Sequence, residues 1–314
     1  MSAGGVSVVA VVVTWNRRDL LVESLDAVRG QTLAPSHVVV VDNASTDGSV
    51  AMVRAEFPGV RLLVEPRNQG FTGGNNRGIA AARGRTVLLL NPDTEMQPGA
   101  LAALVHYLYA HPGVGLVGPR LLNSDGSPQS SRRRFPTIVT AMVESTPLQP
   151  FLARLGALRR YYVLDRSDDE EQEVDWVTGA CMLARREALA AVHGFDPGYF
   201  MYSEELDLCR RIRQAGWRIA YVPDAVVVHH GGRSSDQNVP ERHIRFQHSK
   251  LRYFARWHGR SVAAGLRLWL LALYAWQAAL EAGKWLVGHK RALRRERVAM
   301  YGRVLRSLWR PAPR

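Results

Sequence analysis

The chain has 314 residues, of which 46% are hydrophobic and 22% are charged, the ordinary range for a globular protein. This composition excludes a disordered, collagen-like or disulfide-scaffold protein, and the length allows one large α/β domain with an appendage, or two domains. The formal net charge of +13 raises the question of whether the protein binds nucleic acid.

The charge is distributed unevenly along the chain. Residues 1–240 hold 24 basic and 25 acidic side chains, whereas residues 241–314 hold 17 basic and 3 acidic ones. The pattern predicts a nearly neutral body that binds or catalyses, and a basic tail that docks on an anionic nucleic acid or membrane surface. Cys181 and Cys209 fit neither a metal-ligand spacing nor a disulfide framework, which favours a reducing compartment.

Short, β-branched apolar runs alternate with helical patterns along the first part of the chain. This alternation predicts a doubly wound, mostly parallel sheet with helices on both faces. Strands are predicted at residues 6–13, 38–41, 60–64, 86–90 and 114–117, helices at about 17–29, 49–57 and 98–110, and a glycine-rich loop at 70–78 that leads into a further helix. Asn16 is expected to cap the first helix, and the first apolar run lacks the positive flank of an export signal.

Polar side chains follow three of these strands at their carboxyl ends, where doubly wound sheets bind ligands. The segments are Thr14-Trp15-Asn16, Asp42-Asn43-Ala44-Ser45 and Asn91-Pro92-Asp93. Asp93 is suited to bind a divalent cation, although an Asn-Pro-Asp sequence is also a common turn. Asp42 is suited to accept hydrogen bonds from a nucleobase or a sugar, and an Asx-turn is an equal alternative.

The second part of the chain is less regular. A hairpin is expected at residues 121–131, an irregular segment at 132–162 and a solvated, mobile acidic stretch at 165–175. A helix follows from about 203 to 215, and then short strands at 218–222 and 225–228. After residue 240 the pattern becomes helical and basic.

Two pairs of titratable side chains stand out in this part, Glu204-Glu205 and His229-His230. On helical spacing Glu205 shares a face with apolar residues, and Glu204 aligns with charged ones. We therefore expect Glu205 to have the more apolar surroundings and a raised pKa, which suits a general base. A favourable interaction with the helix dipole is the alternative, especially for Glu204. The histidines suit a metal or phosphate site, with a structural role as the alternative.

Several ordered segments resemble the motifs of family 2 glycosyltransferases of the GT-A fold, and most closely those of the bacterial rhamnosyltransferase-like branch. They are VVVTWNR (11–17), VVDNASTDGS (40–49), RNQGFTGGNNRGI (67–79), LLLNPDTE (88–95), VTGACMLARREAL (177–189), GFDPGYFMYSEELDLCRRIRQAGWRIAYVP (194–223) and VVHHGGRSS (227–235). The resemblance implies an inverting, metal-dependent glycosyltransferase of cell wall polysaccharide biosynthesis. Such an enzyme moves a sugar from a nucleotide-sugar to a hydroxyl of a lipid-linked or polysaccharide-precursor acceptor.

The resemblance also implies a role for each matching residue. The nucleotide-sugar would be bound by Thr14, Asp42, Asn68, Gly73, Asn76, Asn91 and Asp93. Asp93 and His229 would hold Mn²⁺ or Mg²⁺, with Asn91 in place of the usual first acid of the metal motif. Glu205 would be the catalytic base, where the family usually has Asp, and the acceptor would be contacted by Trp176, Gly179, Tyr202 and Glu204. The branch favours dTDP-rhamnose as donor, with UDP- and GDP-sugars left open, and a polyprenyl-linked saccharide as acceptor.

The predicted catalytic domain covers residues 1–238, with a nucleotide-sugar half at about 1–119 and an acceptor half at about 120–238, and an amphipathic helical region covers 239–314. In that region the uninterrupted apolar core, residues 268–276, is shorter than the roughly 20 residues needed to span a bilayer. We therefore predict a peripheral, cytoplasmic protein whose basic tail lies on the inner face of the cell membrane. A helical hairpin packed on the core, or a homodimer contact, is the alternative. The neutral body argues against nucleic acid as partner, and an inactive transferase-like scaffold is the remaining alternative.

Overall fold

The computed structural model describes residues 7–144, 146–152, 154–231, 239–288 and 290–309. The chain forms two compact units. The first consists of Met1–Phe135, Arg159–Phe200 and Glu204–Ser234, and the second consists of Pro136–Leu158, Met201–Ser203 and Ser235–Arg314. The predicted domain boundary at residue 238 lies outside the described residues.

The described strands all belong to the first unit. In chain order they are β1 Val8–Thr14, β2 His37–Asp42, β3 Arg61–Val64, β4 Thr86–Leu90, β5 Thr94–Met96, β6 Val114–Leu122, β7 Pro128–Gln129, β8 Arg132–Arg133, β9 Gln172–Val174, β10 Trp176–Val177, β11 Cys181–Arg185 and β12 Arg218–His229. The helices are α1 Arg18–Arg29, α2 Ser49–Glu56, α3 Gly70–Ala81, α4 Ala100–Ala110, α5 Ile138–Val143, α6 Gly156–Tyr161, α7 Arg186–Ala191, α8 Glu204–Gln214, α9 Val239–Trp257, α10 Arg260–Leu286 and α11 Arg291–Trp309.

The main sheet has the strand order β3-β2-β1-β4-β11-β6-β12-β5, with β7 paired to β6 and β9 paired to β12. The first four strands are mutually parallel, and β6 and β12 are also parallel. β11 runs antiparallel between β4 and β6, and β5 runs antiparallel to β12. The predicted α/β fold with a mostly parallel sheet is confirmed, and the parallel strands bring their carboxyl ends to one edge of the sheet.

β1 is buried along its whole length because helices cover both faces of the sheet. Val8, Ala10 and Val12 belong to a core cluster that includes apolar residues of α1 and α4. Val11 and Val13 instead contact α3. Since successive side chains of a strand point to opposite faces, α1 and α3 lie on opposite sides of the sheet.

The glycine-rich segment is helical rather than the predicted loop. α3 begins at Gly70, and Cβ atoms added to Gly74 and Gly78 would overlap the side chains of Val13 and Val11. The absence of side chains at these glycines lets the helix lie directly on β1. This close packing outweighs the poor helix propensity of glycine.

Two local predictions also change. Residues 218–229 form one strand, β12, with an irregularity between Val222 and Val226, rather than two short strands. Asn16 does not cap α1, whose N-cap residue is Arg17. The Asn16 side-chain oxygen instead accepts a hydrogen bond from the Thr46 backbone N–H at 2.7 Å, which connects the loops after β1 and β2. The predicted hairpin is present as the antiparallel β6–β7 pair.

The acidic stretch is exposed over residues 165–171, as its composition predicted. Its carboxylates form ion pairs with arginines of the same unit, namely Asp165 with Arg134, Asp168 with Arg132, Asp169 with Arg120 and Asp175 with Arg213. β9, within the stretch, pairs with β12. These pairs hold the acidic segment against the body of the first unit.

The second unit is helical and contains α5, α9, α10 and α11. Lys250 is buried and donates hydrogen bonds to the carbonyls of Ala141 at 3.3 Å and Glu144 at 3.2 Å. The carboxylate of Glu281 on α10 pairs with Arg294 on α11 at 2.6 Å. By length and composition, α10 is the one helix in the described ranges that could cross a membrane.

Candidate active site

Thr14 and Asp42 end the adjacent parallel strands β1 and β2, are paired in register and are buried. One carboxylate oxygen of Asp42 accepts a hydrogen bond from the Ser45 backbone N–H at 2.9 Å. In the described part of the chain, its other oxygen and the Thr14 hydroxyl have no hydrogen-bond partner. Buried polar groups are normally satisfied, so these two atoms are suited to a ligand. The Asx-turn alternative accounts for only one oxygen of Asp42.

Asn43 connects this edge of the sheet to the start of α3. Its side-chain nitrogen donates to the Gly70 carbonyl at 3.0 Å. The Asn43 side-chain oxygen and the hydroxyl of Thr72 are also buried without a partner among the residues that the structure describes. Asn68 turns the chain into α3 by accepting a hydrogen bond from the Gly70 N–H at 2.8 Å. The candidate donor-binding residues are thereby brought together at one edge.

Gly73 and Asn76 lie farther along α3. A Cβ atom at Gly73 would approach the Cβ of Gln69 to 2.6 Å, so the backbone there has no room for a side chain. Asn76 accepts from the Phe195 N–H and donates to the Phe195 carbonyl, both at 2.9 Å. The Asn76 amide is therefore occupied in fastening the segment around Phe195 to α3.

β5 and β12 bring Asp93 beside His229. The two strands are antiparallel with His229 opposite Thr94, and the His230 backbone N–H donates to the Asp93 carbonyl at 2.9 Å. Nε2 of His229 lies 3.5 Å from Oδ1 of the buried Asp93 carboxylate. Two residues far apart in the sequence thus face each other at the end of the sheet.

Gln129 on β7 fixes the orientation of the His229 ring. Its side-chain nitrogen donates to Asn123 Oδ1 at 2.8 Å and to the His229 carbonyl at 3.3 Å. Its side-chain oxygen must then accept from Nδ1 of His229, 2.6 Å away. In the neutral imidazole this places the proton on Nδ1 and leaves the Nε2 lone pair facing Asp93, which is the tautomer that a metal-ligating imidazole requires.

Asn91, two residues before Asp93, offers a further candidate ligand for a divalent cation. Its side-chain oxygen is buried and has no hydrogen-bond partner within the described ranges. A carboxylate oxygen, an amide oxygen and an imidazole nitrogen are ligands that Mn²⁺ accepts, and the oxygens also suit Mg²⁺. His230 differs, because its ring nitrogens bond to Glu95 and, at 2.7 Å, to the Ser124 hydroxyl.

Glu204 and Glu205 begin α8, and the structure reverses their predicted burial. Glu204 is only 5% exposed, whereas Glu205 is half-buried. On the same face, which the sequence presents as charged, Asp207 is also buried and forms an ion pair with Arg211 at 2.7 Å. Paired charges can be buried where single ones cannot, and helical spacing alone does not reveal the pairing.

Both carboxyl groups are held in surroundings that favour the neutral form. Burial raises the pKa of Glu204 well above its ordinary value, and repulsion from Glu205 raises it further. Burial also raises the pKa of Glu205, against the opposing effect of backbone hydrogen bonds and the Arg133 charge. One oxygen of each carboxyl lacks a hydrogen-bond partner in the chain as described. The expected raised pKa of Glu205 is therefore found, although Glu204 is the more buried group.

Residues 179–180 connect Glu205 to the loop of Asn91. A Cβ atom at Gly179 would lie 3.6 Å from the Glu205 Cβ and 3.6 Å from the tip of the Phe71 ring, so Gly179 leaves a narrow space between α8 and α3. The Ala180 carbonyl accepts a hydrogen bond from the Asn91 N–H at 2.9 Å. The candidate base and the candidate metal loop are thus attached to neighbouring residues.

The remaining acceptor candidates lie in different units. Trp176 is buried in the first unit, where its indole N–H donates to the Arg134 carbonyl at 3.0 Å. Tyr202 belongs to the second unit, where its ring meets that of Phe246 edge-on at 5.7 Å.

Sequence reasoning missed three residues of this site: Asn43, Gln129 and Arg133. Asn43 stands in a strand-end segment that already contained Asp42, so its position was a usable signal. Gln129 and Arg133 carry no comparable signal, because their roles depend on contacts with residues distant in the sequence.

The chain matches the family described as Glycosyltransferase like family 2 over residues 5–247. A relative from Mycobacterium tuberculosis, named N-acetylglucosaminyl-diphospho-decaprenol L-rhamnosyltransferase, is 33% identical over 255 residues, which cover 78% of this chain and 82% of the relative. Rhamnosyltransferase WbbL of Escherichia coli is 30% identical over 209 residues, which cover 60% of this chain and 70% of WbbL.

Solved structures agree with the fold. Mannosyltransferase PcManGT from Pyrobaculum calidifontis, in complex with GDP-Man and Mn²⁺, aligns with a TM-score of 0.55 and 21% identity over 96% of this chain and 85% of its own. GalNAc-T7 with UDP, GalNAc and Mn²⁺ aligns with a TM-score of 0.56 and 19% identity over 71% of this chain and 43% of its own. The family match, the relatives and the sheet together show that the chain belongs to glycosyltransferase family 2, as a rhamnosyltransferase-like enzyme with the GT-A fold.

Proposed function

We propose that the protein transfers rhamnose from dTDP-rhamnose to a hydroxyl of a polyprenyl-diphosphate-linked saccharide, with a bound divalent cation and with inversion at the anomeric carbon. The observation that supports this proposal is the 3.5 Å approach of His229 to Asp93, on a loop whose Asn91 N–H donates to the carbonyl of Ala180, the residue after Gly179. The printed names of the relatives support rhamnose as the sugar and a lipid diphosphate as the carrier of the acceptor.

The donor nucleotide is proposed to bind at the ends of β1 and β2. The unsatisfied oxygens of Thr14 and Asp42, in the portion that the structure describes, would accept hydrogen bonds from the base and ribose. Asn68 and Gly73 would contribute through the backbone of the α3 start, where close approach is possible. Asn76 would act indirectly, since its amide is bonded to Phe195.

Asp93 and His229 are proposed to hold Mn²⁺ or Mg²⁺, with Asn91 as a further oxygen ligand. When bound, the cation supplies positive charge that stabilises the departing nucleoside diphosphate. Gln129 supports this role because its hydrogen bond to Nδ1 favours the neutral tautomer of His229 in which Nε2 is the available ligand atom. The buried position of Asp93 limits competition from water.

Glu205 is proposed to be the general base. Its carboxylate takes the proton of the acceptor hydroxyl while the hydroxyl oxygen forms a bond to the anomeric carbon. The bond from that carbon to the diphosphate oxygen breaks, and its electrons leave with the nucleoside diphosphate. Attack from the face opposite the leaving group inverts the configuration, and a base with a raised pKa accepts the proton more readily. Glu204, Gly179 and Trp176, all in the first unit, are proposed to contact the acceptor.

The second unit is proposed to hold the enzyme on the cytoplasmic face of the cell membrane, where a polyprenyl-linked acceptor resides. Large apolar side chains are exposed along α10, among them Leu268, Trp276 and Leu280. Leu268 and Trp276 are eight residues apart, and Trp276 and Leu280 are four apart. Multiples of four residues place side chains along one side of a helix. Exposed apolar side chains combined with a basic tail favour an anionic membrane surface.

Donor binding tests the proposal directly. We expect dTDP-rhamnose with Mn²⁺ to raise the melting temperature, since a ligand at a hundredfold excess over its Kd stabilises the folded state by about 2.7 kcal/mol. UDP-glucose and GDP-mannose should give smaller shifts. Asp93→Asn should remove the Mn²⁺-dependent part of the shift, measured by differential scanning fluorimetry.

Asp224→Asn is the matched control, because Asp224 is exposed. It should keep the full response. If no nucleotide-sugar gave a metal-dependent shift with the unmodified protein, the proposed function would be wrong. If dTDP-rhamnose with Mn²⁺ raised the melting temperature of Asp93→Asn as much as that of the unmodified protein, the metal would be bound by other residues.

A further inference from the structure

Three consecutive arginines on and after β8 have different surroundings. Arg132 is buried and forms an ion pair with Asp168. Arg134 forms an ion pair with Asp165 at 3.1 Å. Among the residues that the structure describes, Arg133 has no carboxylate within ion-pair distance. Its positive charge is therefore not neutralised by a direct partner there.

The Arg133 guanidinium lies against aromatic rings. Its central carbon is 4.5 Å from the ring centre of Tyr162, 5.5 Å from that of Tyr161 and 5.7 Å from that of Trp176. One terminal nitrogen donates to the Ser130 hydroxyl, whereas Nε is buried and has no partner within the described residues. Aromatic faces attract the cation but do not satisfy its N–H groups, which leaves hydrogen-bonding capacity for an anion.

The pairing of β8 with β10 joins Arg133 to the segment that leads to Gly179. Arg133 is directly opposite Trp176 in the register. The chain then continues through Gly179, which contacts Glu205. The Arg133 charge also lowers the pKa of Glu205 against the effect of burial, so the two groups share one electrostatic environment.

We propose that Arg133 binds the diphosphate through which the lipid is joined to the acceptor sugar. A guanidinium presents a planar pair of donors that matches phosphate oxygens. The diphosphate is attached to the same acceptor whose hydroxyl meets Glu205, whereas the donor diphosphate leaves toward Asp93 and His229. This inference rests on the proposed function, because it requires a diphosphate-linked acceptor.

Two acceptors that differ in the presence of the diphosphate distinguish binding of that diphosphate by Arg133 from a general structural role. The first acceptor is N-acetylglucosaminyl diphosphate with an undecyl chain, and the second is undecyl N-acetylglucosaminide, which lacks the diphosphate. We expect Arg133→Gln to lower kcat/KM for the first acceptor by roughly tenfold to a hundredfold, mainly through KM, since hydrogen bonds to charged groups have that effect. At a pH well above the acid limb of the rate profile, where Glu205 is ionised with or without the Arg133 charge, transfer to the second acceptor should fall much less, and the KM for dTDP-rhamnose should stay unchanged. Arg133→Lys, which keeps the charge, should recover part of the loss.

Arg134→Ala is the matched control, because this neighbouring arginine is paired with Asp165, and it should leave the preference between the two acceptors intact. Equal losses with both acceptors, or a raised KM for dTDP-rhamnose, would overturn the inference. Calorimetric binding of the diphosphate acceptor without donor gives a second measurement. Weaker binding by Arg133→Gln supports the inference and equal binding contradicts it, even if the unmodified enzyme transfers no rhamnose and the proposed function fails.

Discussion

At the scale of residues, this site depends on carboxyl groups that the fold removes from water. Glu204 and Glu205 are adjacent, and burial together with mutual repulsion raises the pKa of Glu204 more than that of Glu205. Several backbone hydrogen bonds and the Arg133 charge favour the charged form of Glu205, whereas a single backbone hydrogen bond does so for Glu204. The pair is therefore expected to carry one negative charge, with Glu204 protonated and Glu205, the carboxylate beside Gly179, ionised.

The pH dependence of transfer tests this assignment. The base must be ionised, so kcat/KM should rise with pH as Glu205 loses its proton. Because the pKa of Glu205 is raised from its ordinary value of 4.5, the acid limb should lie above pH 4.5. Glu205→Gln should lower transfer by about 10²- to 10⁴-fold and remove that limb. Initial rates with dTDP-rhamnose across acidic and neutral pH measure both effects.

Glu205→Asp is the conservative control, since it keeps a carboxylate with a shorter reach. It should retain part of the activity together with an acid limb. Full activity of Glu205→Gln would show that another group takes the proton.

At the scale of elements, α3 shows how tertiary packing decides what a local pattern leaves open. The predicted strands of the parallel half are present to within a few residues. This agreement arises because a continuous β-branched apolar run is typical of a strand that is buried on both faces of a sheet. The glycines of α3 instead suggested a loop, and their reason lies in contacts with Val11 and Val13 of β1. Likewise, spacing along a single helix does not reveal that Glu204 is buried, or that Asp207 on the same face is paired with Arg211.

Gly78→Ala tests the contact between α3 and β1. The added methyl group would overlap Val11, which is buried in the central strand. We expect the free energy of unfolding to fall by about 1–3 kcal/mol from overpacking, even after the gain in helix propensity. Urea denaturation followed by intrinsic fluorescence measures the change.

Gly265→Ala provides the matched control on α10. A Cβ atom there meets nothing within 4 Å in the described structure. This substitution should be neutral or stabilising by up to about 1 kcal/mol. If the two variants had the same free energy of unfolding, the close contact of α3 with β1 would not be needed for the stability of the protein.

At the scale of the whole molecule, the net charge and most of the large exposed apolar side chains belong to the second unit. The excess of basic residues after residue 240 falls within the second unit. Exposed apolar side chains occur in the same unit, among them Leu268 at 67% exposure, Phe151 at 85% and Trp309 at 80%. A surface that is both basic and apolar matches an anionic bilayer better than it matches nucleic acid.

Vesicle binding tests the proposed membrane surface. We expect the protein to cosediment with vesicles of phosphatidylglycerol and phosphatidylcholine more strongly than with phosphatidylcholine alone, and added salt should weaken the difference. The double substitution Leu268→Glu with Trp276→Glu should reduce binding by at least roughly tenfold, because each buried apolar side chain contributes about 1.5–3 kcal/mol.

Val64→Glu is the matched control, since Val64 is an exposed apolar residue of the first unit, with 48% exposure. It should bind vesicles like the unmodified protein. Undiminished binding by the double variant would exclude α10 as the contact surface.

The sequence by itself determined the alternation of strands and helices, the polar residues at the strand ends and the position of the charge excess, because each of these is written in local patterns of apolarity and charge. The motifs also determined the family. Only the tertiary structure decided that His229 faces Asp93, that Gln129 fixes the tautomer of His229 and that Arg133 lies near Glu205 without an acidic partner in the described chain. These relations depend on strand order and pairing between distant segments, which residue spacing does not encode.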